Sequence, residues 1–332
     1  MGWAHALNTP YQWTKQVASH FGGTRNGTIV HWPKGIQAKG ELRTHFAHVI
    51  DVAPTILEAA GIPEPVSVDG IQQDPIDGVS MLKTFNDAKA PEVHETQYFE
   101  VMGNRAIYHK GWTAVTKHYT PWIPNVKPAL DDDVWELYDT TTDWAQAKDL
   151  SKEMPDKLRE LQRLWIIEAT RNKVLPIDDR MFEKINPDTA GRPTLVKGKT
   201  QLLAGGMSHL GENCVLNIKN KSHSVTAAIV VPQGGAEGVI IAQGADIGGW
   251  SLYAKGGKLK YCYNWGGFKH FMIEGASVMA PGEHQVRMEF AYAGGGLGKG
   301  GKVTLYVDGQ KDGEGEVGAT LAMIFSADDG LD

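Results

Sequence analysis

The chain has 332 residues, more than one domain usually holds, so two or three packed units are expected. Its 33 basic and 39 acidic residues give a formal net charge of -6, which excludes the strongly basic surface that gathers nucleic acid or an anionic membrane. No run of about 18 apolar residues occurs, so no membrane span is expected. A small neutral or anionic substrate, bound by local charges, remains compatible with this composition.

The start of the chain, MGWAHALNTPYQW, lacks the basic and then apolar layout of a signal peptide. Met1 is interpreted as a cytoplasmic start or as an internal methionine of a longer protein. The compartment stays open, and would be periplasmic or secreted if a signal peptide precedes this sequence. Two cysteines, Cys214 and Cys262, are too few for a disulfide framework and lack zinc-type spacing. We expect both to be buried strand residues, and a bridge between them stays open.

The first predicted elements are one strand and one helix. Residues 27–32, GTIVHW, form a β-prone run that ends before Pro33 and predict a buried strand. Residues 49–60, VIDVAPTILEAA, carry apolar positions at helical spacing and are followed by Gly61 as a C-cap. A strand followed by an amphipathic helix is typical of an α/β layer.

Short strands come next. Three β-branched and aromatic runs between residues 96 and 117 are punctuated by Gly103-Asn104 and Gly111, which predicts an antiparallel meander. Residues 135–138, WELY, predict another strand, and residues 155–170 predict a helix with an apolar stripe. Together these elements predict a small sheet packed on one helix.

The last third of the chain is rich in strands. Apolar periodicity fades over residues 176–200, which are predicted to form a linker. From residue 201 the predicted strands lie in CVLNIKN, SVTAAIVVP, GVIIAQG, WSLYAKGGKLKYCYNW, HQVRMEFAYAG and KVTLYVDGQKDGEGEV. The pairs Gly256-Gly257 and Asp308-Gly309 predict two-residue hairpins, because both turn positions need positive φ. Evenly spaced strands predict a β-sandwich of jelly-roll or lectin-like type, and the final SADDGLD leaves open whether an edge strand is missing.

Four separated segments resemble the C-terminal part of the sulfatase family, in the family's order and spacing. They are YQWTKQVASHFGGTRNGTIVHWPKGI (11–36), HVIDVAPTILEAAGIPEP (48–65), DGVSML (77–82), and NRAIYHKGWTAV (104–115) joined with ELYDTTTDWAQAKDLSKEMPDKLREL (136–161). The resemblance extends over roughly residues 3–175. The sandwich that follows is similar to a laminin-G or concanavalin-type fold.

The resemblance implies a fold class of α/β plus all-β. Residues 1–95 would be the end of an alkaline-phosphatase-like α/β catalytic domain. Residues 96–175 would be its small α+β subdomain, an antiparallel sheet with a helix. Residues 176–200 would link this part to a β-sandwich over residues 201–332.

The resemblance also implies a chemistry. Sulfatases hydrolyse sulfate monoesters with a formylglycine made from the cysteine or serine of a CxPSR or SxPSR motif, and a calcium ion neutralises the sulfate oxygens. Neither motif occurs here, since Cys214 is followed by VLNI and Cys262 by YNWG. The family's calcium ligands also lie upstream of the matched part. We therefore expect calcium and the nucleophile in the full-length enzyme, no metal ligands in this fragment, and no activity of the fragment alone.

Five residues of the first segment are the candidate site residues. Lys15 matches the family's sulfate-contacting lysine, whose ammonium would offset charge in the transition state, although six residues separate it from Gly22, one more than in better-known relatives. If the resemblance is set aside, Lys15 would be interpreted as a solvated surface charge.

His20 is the competing catalytic candidate, as a general acid near the leaving oxygen, or is a structural hydrogen-bonding residue. Gly22 and Gly23 would turn the backbone tightly under the bound substrate, or form a plain loop. Arg25 would contact substrate or pair with a carboxylate.

Other polar clusters have simpler interpretations. His45 and His48 could imitate a metal pair, but no third ligand is nearby in the sequence. The run Asp131-Asp132-Asp133 is interpreted as a solvated turn, because it lacks the alternating ligands and central glycine of a calcium loop. Three further acidic residues are interpreted as loop and turn positions: Asp69, Asp74 and Asp77.

The predicted function is hydrolysis of a sulfate ester, arylsulfatase-like, on a small-molecule or carbohydrate sulfate, with no nucleic-acid partner. Two alternatives remain: a phosphodiesterase or phosphonate monoester hydrolase of the same superfamily, and a non-catalytic glycan-binding module. In the sandwich, alternation along the strands directs about half of the aromatic side chains into the core, and the others could stack on a sugar. These aromatic residues are Trp250, Tyr253, Tyr261, Tyr263 and Trp265.

Overall fold

The fold is described from a computed structural model, which places residues 2–123, 127–191 and 194–332. The chain divides into two units, Met1–Asp179 and Arg180–Asp332. Residues 192 and 193 of the predicted linker lie outside the described residues, and the predicted domain bounds stay predictions. Among the described helices, none has the length and apolar character needed to cross a membrane.

The first 95 residues of the first unit form short elements joined by irregular segments. The elements are α1 (Gly2–Asn8), α2 (Phe21–Thr24), a 3-10 turn (Val49–Asp51) that continues into α3 (Val52–Ala60), β1 (Ser67–Val68), β2 (Ile71–Gln72) and α4 (Leu82–Phe85). The predicted helix at residues 49–60 is confirmed. Gly61 ends it at φ +67°, in the left-handed conformation expected of a C-cap.

The predicted buried strand at residues 27–32 is wrong. The segment is irregular, and the Ile29 side chain is 97% exposed. A buried strand needs neighbouring strands for its main-chain hydrogen bonds and apolar layers on its faces. The described residues around this segment supply neither, so α3 forms without the strand predicted beside it.

A four-stranded sheet and one long helix complete the first unit. The strands β3 (Thr96–Val101), β4 (Asn104–His109), β5 (Trp112–Thr116) and β6 (Glu136–Asp139) are antiparallel and adjacent in chain order. A 3-10 turn (Leu130–Asp132) precedes β6, and α5 (Pro155–Arg171) packs on one face of the sheet. The predicted meander, strand and helix are confirmed. Their shared core consists of Ile107, Ala114, Leu137, Leu161, Trp165 and Ala169.

The second unit is a β-sandwich preceded by short turns. A 3-10 turn (Phe182–Lys184), α6 (Pro187–Ala190) and a 3-10 turn (Glu212–Cys214) are followed by β7 (His223–Val231), β8 (Gly238–Ala245), β9 (Gly248–Lys255), β10 (Lys258–Trp265), β11 (Lys269–Glu274), β12 (Gly282–Tyr292), β13 (Lys299–Val307) and β14 (Gln310–Ala319). One sheet has the order β11-β10-β9-β8 and the other β14-β13-β12-β7. Their inner faces share one core, which includes Leu252, Leu259, Tyr261, Val286, Met288 and Leu305.

The two predicted hairpin turns of the sandwich are confirmed. Gly256 and Gly257 have φ of +61° and +74°, and Asp308 and Gly309 have φ of +49° and +78°. Positive φ at both central residues matches the twist of the flanking strands. These turns fix the registers of β9 with β10 and of β13 with β14.

Two details of the sandwich differ from the prediction. CVLNIKN is not a strand, because a 3-10 turn ends at Cys214 and irregular chain follows, whereas β11 was not predicted. Cys214 is exposed, so its predicted burial is wrong, and Cys262 is half-buried on β10. Both cysteines are free thiols, which settles the open question of a bridge.

Candidate functional site

The segment that carries the candidate residues, residues 11–25, is fixed to the small sheet by a buried glutamine. Gln146 is fully buried; its side-chain oxygen accepts from the Phe21 N–H at 2.8 Å, and its side-chain nitrogen donates to Thr113 Oγ1 at 3.1 Å. The main-chain carbonyl of Gln146 accepts from Gln12 Nε2 at 2.6 Å. Since a buried amide is costly unless it is paired, these bonds hold the segment in one position.

Gly22 and Gly23 lie in α2, where main chain packs directly on main chain. A Cβ at Gly22 would lie 2.1 Å from the carbonyl oxygen of Trp13, and one at Gly23 would lie 2.0 Å from that of Val17. No larger residue fits without movement of the backbone. The close approach is therefore a packing requirement, and the assignment of both glycines to substrate binding stays a prediction.

His20 belongs to a buried hydrogen-bond network. Its ring is 1% exposed; Nε2 lies 3.0 Å from Glu136 Oε2, and Nδ1 lies 2.9 Å from Ser19 Oγ. The Tyr138 hydroxyl donates to the same Glu136 oxygen at 2.5 Å. Burial alone would raise the pKa of Glu136, but the hydrogen bonds from His20 and Tyr138 outweigh it and lower that pKa. This geometry supports the structural interpretation of His20, and its role as general acid stays a prediction.

Lys15 is exposed, whereas the neighbouring Thr14 and Val17 are buried. Within the described residues the Lys15 ammonium forms no hydrogen bond or ion pair, so it is available to an anion. It does not line the shallow depression of about 560 Å³ in the first unit, which lies beside α5 and includes His109 and Arg163. The contact of Lys15 with sulfate stays a prediction.

Arg25 is held by aromatic rings. Its guanidinium lies 5.4 Å from the Tyr11 ring centroid and 5.2 Å from that of Phe21, and Nη1 donates to the Trp144 carbonyl at 3.2 Å. Such stacking holds the end of α2 in place. This agrees with a structural role for Arg25, but its partners are aromatic rings and not the predicted carboxylate. Its contact with substrate stays a prediction.

Asp51, the most buried carboxylate of the described part of the first unit, was not among the candidate residues predicted from the sequence. Asp51 is fully buried and accepts hydrogen bonds from His48 N–H at 2.7 Å, Val79 N–H at 2.8 Å and His94 Nδ1 at 2.7 Å. These bonds attach the DGVSML segment and the start of β3 to the first turn before α3. The one signal in the sequence is that Asp51 lies in the first turn of the predicted helix, where acidic residues are common.

The charge state of this group follows from its contacts. Burial alone would raise the pKa of Asp51, but the hydrogen bonds from His94, Val79 and His48 lower it. Burial alone would lower the pKa of His94, but the hydrogen bond and charge of Asp51 raise it. Asp51 and His94 therefore form an ion pair at mildly acidic pH.

The interpretation of Asp131-Asp132-Asp133 as a solvated turn is wrong for its last member. Asp131 and Asp132 are exposed, but the Asp133 side chain is 2% exposed. It pairs with Arg105 and lies 2.8 Å from His118 Nδ1. A run of three identical residues gives no signal that one of them turns inward, because that depends on where the fold places Arg105 and His118.

No three His, Cys, Asp or Glu side chains converge as metal ligands in the part of the chain that the structure describes. The Nε2 atom of His45 lies 2.6 Å from the Ala90 carbonyl oxygen. The ring centroids of His48 and His94 are 6.2 Å apart. These residues do not form a calcium site by themselves. The acidic loop residues Asp69, Asp74 and Asp77 are exposed, as expected.

The aromatic residues of the sandwich divide between core and surface. Trp250 and Tyr263 are 5% exposed and Tyr261 is 1% exposed, so they are core residues. Tyr253 is half-buried on the outer face, and Trp265 is 38% exposed. The expected division is confirmed, and the three core residues cannot stack on a sugar.

Comparison with known proteins finds a sulfatase-like sequence in the first unit. Residues 13–165 match the family model described as N-sulphoglucosamine sulphohydrolase, C-terminal. An uncharacterized sulfatase of Schizosaccharomyces pombe is 30% identical over 187 residues, covering 55% of this chain and 32% of the relative. The chain thus spans about a third of the length of that relative.

Two solved structures were also found. One comes from Bacteroides thetaiotaomicron, and its description concerns the metabolism of multiple glycosaminoglycans; it is 23% identical, covers 46% of this chain and 31% of its own, and has a TM-score of 0.35. The other, mouse laminin α1 chain domains LG4-5, is 17% identical, covers 37% and 30%, and has a TM-score of 0.29.

The matched residues include the buried polar network around His20 and Gln146 and the small sheet with the greater part of its helix. Residues 13–165 are similar to the C-terminal region of a sulfatase, and a β-sandwich follows them in the chain.

Proposed function

We propose that the protein to which this chain belongs hydrolyses a sulfate monoester, with a formylglycine nucleophile and a calcium ion supplied by residues outside these 332. The observation that carries the proposal is the match of residues 13–165 to a sulfatase family model. Its support from geometry is a candidate segment whose backbone is fixed by Gln146 while the Lys15 ammonium stays free.

In this proposal Lys15 contacts a sulfate oxygen. The charge of a sulfate ester shifts toward the leaving oxygen as the ester bond breaks, and a fixed ammonium stabilises that charge without reorganisation at the moment of reaction. Buried neighbours, Thr14 and Val17, anchor the backbone on both sides of Lys15, which limits the positions that the ammonium can take. His20 and Glu136 act as positioning residues beneath the segment.

The proposed substrate is a sulfated carbohydrate. The matched family's description names N-sulphoglucosamine, a sugar whose sulfo group is bonded to nitrogen. It therefore favours a carbohydrate over an aryl sulfate as the natural substrate, while the ester oxygen as the leaving atom is part of the proposal. Small aryl sulfates remain convenient reporters, because they test cleavage of the sulfate ester independently of sugar contacts.

The test uses the longer protein and three chromogenic esters: p-nitrophenyl sulfate, bis(p-nitrophenyl) phosphate and p-nitrophenyl phenylphosphonate. The proposal expects the sulfate to have the highest kcat/KM. It also expects EDTA to abolish its turnover and calcium to restore it. A preference for the phosphodiester or the phosphonate would replace the proposal with the alternative hydrolase of the same superfamily.

A further inference from the structure

Three large apolar side chains are exposed at one end of the sheet formed by β8 to β11. Ile247, in the β8–β9 turn, is 65% exposed; Phe268, in the β10–β11 turn, is 86% exposed, and Trp265 is 38% exposed. The ring centroids of Trp265 and Phe268 are 6.0 Å apart, with ring planes tilted by 57°. These three side chains are called the aromatic tip. Clustered apolar exposure of this kind adds little to the core and is typical of binding surfaces.

The backbone beneath the aromatic tip is held rigidly. Asn264 is 7% exposed, and its Nδ2 donates to the carbonyl oxygens of Ala245 at 2.8 Å and Asp246 at 2.9 Å. Its Oδ1 accepts from the Gly267 N–H at 2.9 Å. One buried amide therefore joins the two turns and fixes the side chains they carry. A ligand that binds there pays little entropy for ordering the protein.

Polar groups border the aromatic tip. Lys269 lies directly opposite Trp265 in the β10–β11 register, and its ammonium is 4.8 Å from the Phe271 ring centroid. In the described part of the chain Lys269 has no carboxylate partner, and the next residue, His270, is exposed. Asp246, which precedes Ile247 in the β8–β9 turn, is also exposed. The surface thus combines rings with one free cation and one acceptor.

We propose that the aromatic tip binds a sulfated carbohydrate chain. The C–H face of a pyranose ring would stack on Phe268 and Trp265, Asp246 would accept hydrogen bonds from hydroxyls, and Lys269 would pair with a sulfate group. A bilayer fits less well, because insertion of Ile247 would carry the Asp246 carboxylate toward the hydrocarbon. The sulfated character of the sugar rests on the proposed function, whereas the stacking site follows from the sandwich alone.

The test is isothermal titration of the 332-residue chain with chondroitin sulfate and with chemically desulfated chondroitin. Phe268→Ala is expected to weaken binding of both polymers about tenfold, the effect of losing one aromatic stacking contact. Lys269→Ala is expected to weaken binding of the sulfated polymer alone, about fivefold at low salt. Val239→Ala and Lys255→Ala are matched controls, since both residues are exposed and lie at the ends of β8 and β9 opposite the aromatic tip, and each is expected to change binding less than twofold.

The inference is overturned if the chain binds neither polymer, or if Phe268→Ala binds both as the parent does. It is also overturned if Phe268→Ala instead abolishes sedimentation with phosphatidylcholine and phosphatidylserine vesicles, or converts a dimer to a monomer in light scattering. Turnover of p-nitrophenyl sulfate by the longer protein is a separate readout, which Phe268→Ala is expected to leave unchanged. Polymer binding without any turnover would refute only the proposed function.

Discussion

At the scale of single residues, buried polar side chains hold the irregular start of the chain together. Asp51 accepts hydrogen bonds from three donors, and Gln146 joins the segment of residues 11–25 to Thr113 of β5. The loss of one partner in such a group leaves a buried donor or acceptor unpaired, which costs more than the net value of the bond. The arrangement of the candidate segment therefore depends on residues that have no chemical role.

The Asp51–His94 pair predicts a pH-dependent stability. The raised pKa of His94 stabilises the fold fully below its unfolded value of about 6.5, and this contribution is lost as pH rises through the higher folded pKa. The lowered pKa of Asp51 stabilises the fold above about pH 4, and this contribution is lost as pH falls through the lower folded pKa. We expect His94→Gln to lower the free energy of unfolding by about 3 kcal/mol at pH 5.5 and by less at pH 9. Urea denaturation at the two pH values measures this, and an equal cost at both would contradict the pairing.

The His20–Glu136 contact is tested by a double-mutant cycle. If His20 positions the segment through Glu136, the variants His20→Ala and Glu136→Ala each destabilise the chain, and the double variant costs less than their sum. The expected coupling is about 1–2 kcal/mol, typical of residues in one hydrogen-bond network. Additive costs in urea denaturation would show that the two side chains do not support each other.

At the scale of elements, the sequence correctly predicted those structures that depend on residues close together in the chain. The meander β3 to β6, the helix α5 and the two positive-φ hairpins depend on alternation, helical spacing and turn residues near in sequence. The strand predicted at residues 27–32 failed because strand pairing needs distant partners. Likewise, Asp133 could not be distinguished from its two neighbours, since its partners Arg105 and His118 come from β4 and from the segment after β5.

Main-chain packing at α2 gives a prediction at this scale. Gly22→Ala and Gly23→Ala would each place a Cβ about 2 Å from a carbonyl oxygen, so each is expected to cost 2 kcal/mol or more through backbone displacement. Gly27→Ala is the control, because its Cβ would meet nothing within 4 Å. The measurement is the melting temperature of each variant. A loss no greater for Gly22→Ala than for Gly27→Ala would contradict the close packing of α2.

At the scale of the whole molecule, the chain carries a segment similar to a sulfatase C-terminal region and, after it, a β-sandwich. The resemblance to the family could be seen in the sequence because the matched segments keep their order and spacing. The role of each candidate residue stays a prediction, because the nucleophile and calcium that Lys15 is proposed to serve are proposed to lie outside these 332 residues. Burial in the structure distinguishes the roles further: His20 is enclosed and Lys15 is free. A catalytic contribution is therefore expected from the exposed residue.

The most direct measurement is turnover of p-nitrophenyl sulfate by the longer protein carrying Lys15→Ala, with Lys89→Ala as an exposed control. Loss of transition-state stabilisation predicts a kcat/KM about 100-fold to 1,000-fold lower for Lys15→Ala and unchanged for the control. An unchanged melting temperature would show that the fold is intact. Undiminished turnover by a folded Lys15→Ala enzyme would contradict the placement of this ammonium beside the sulfate.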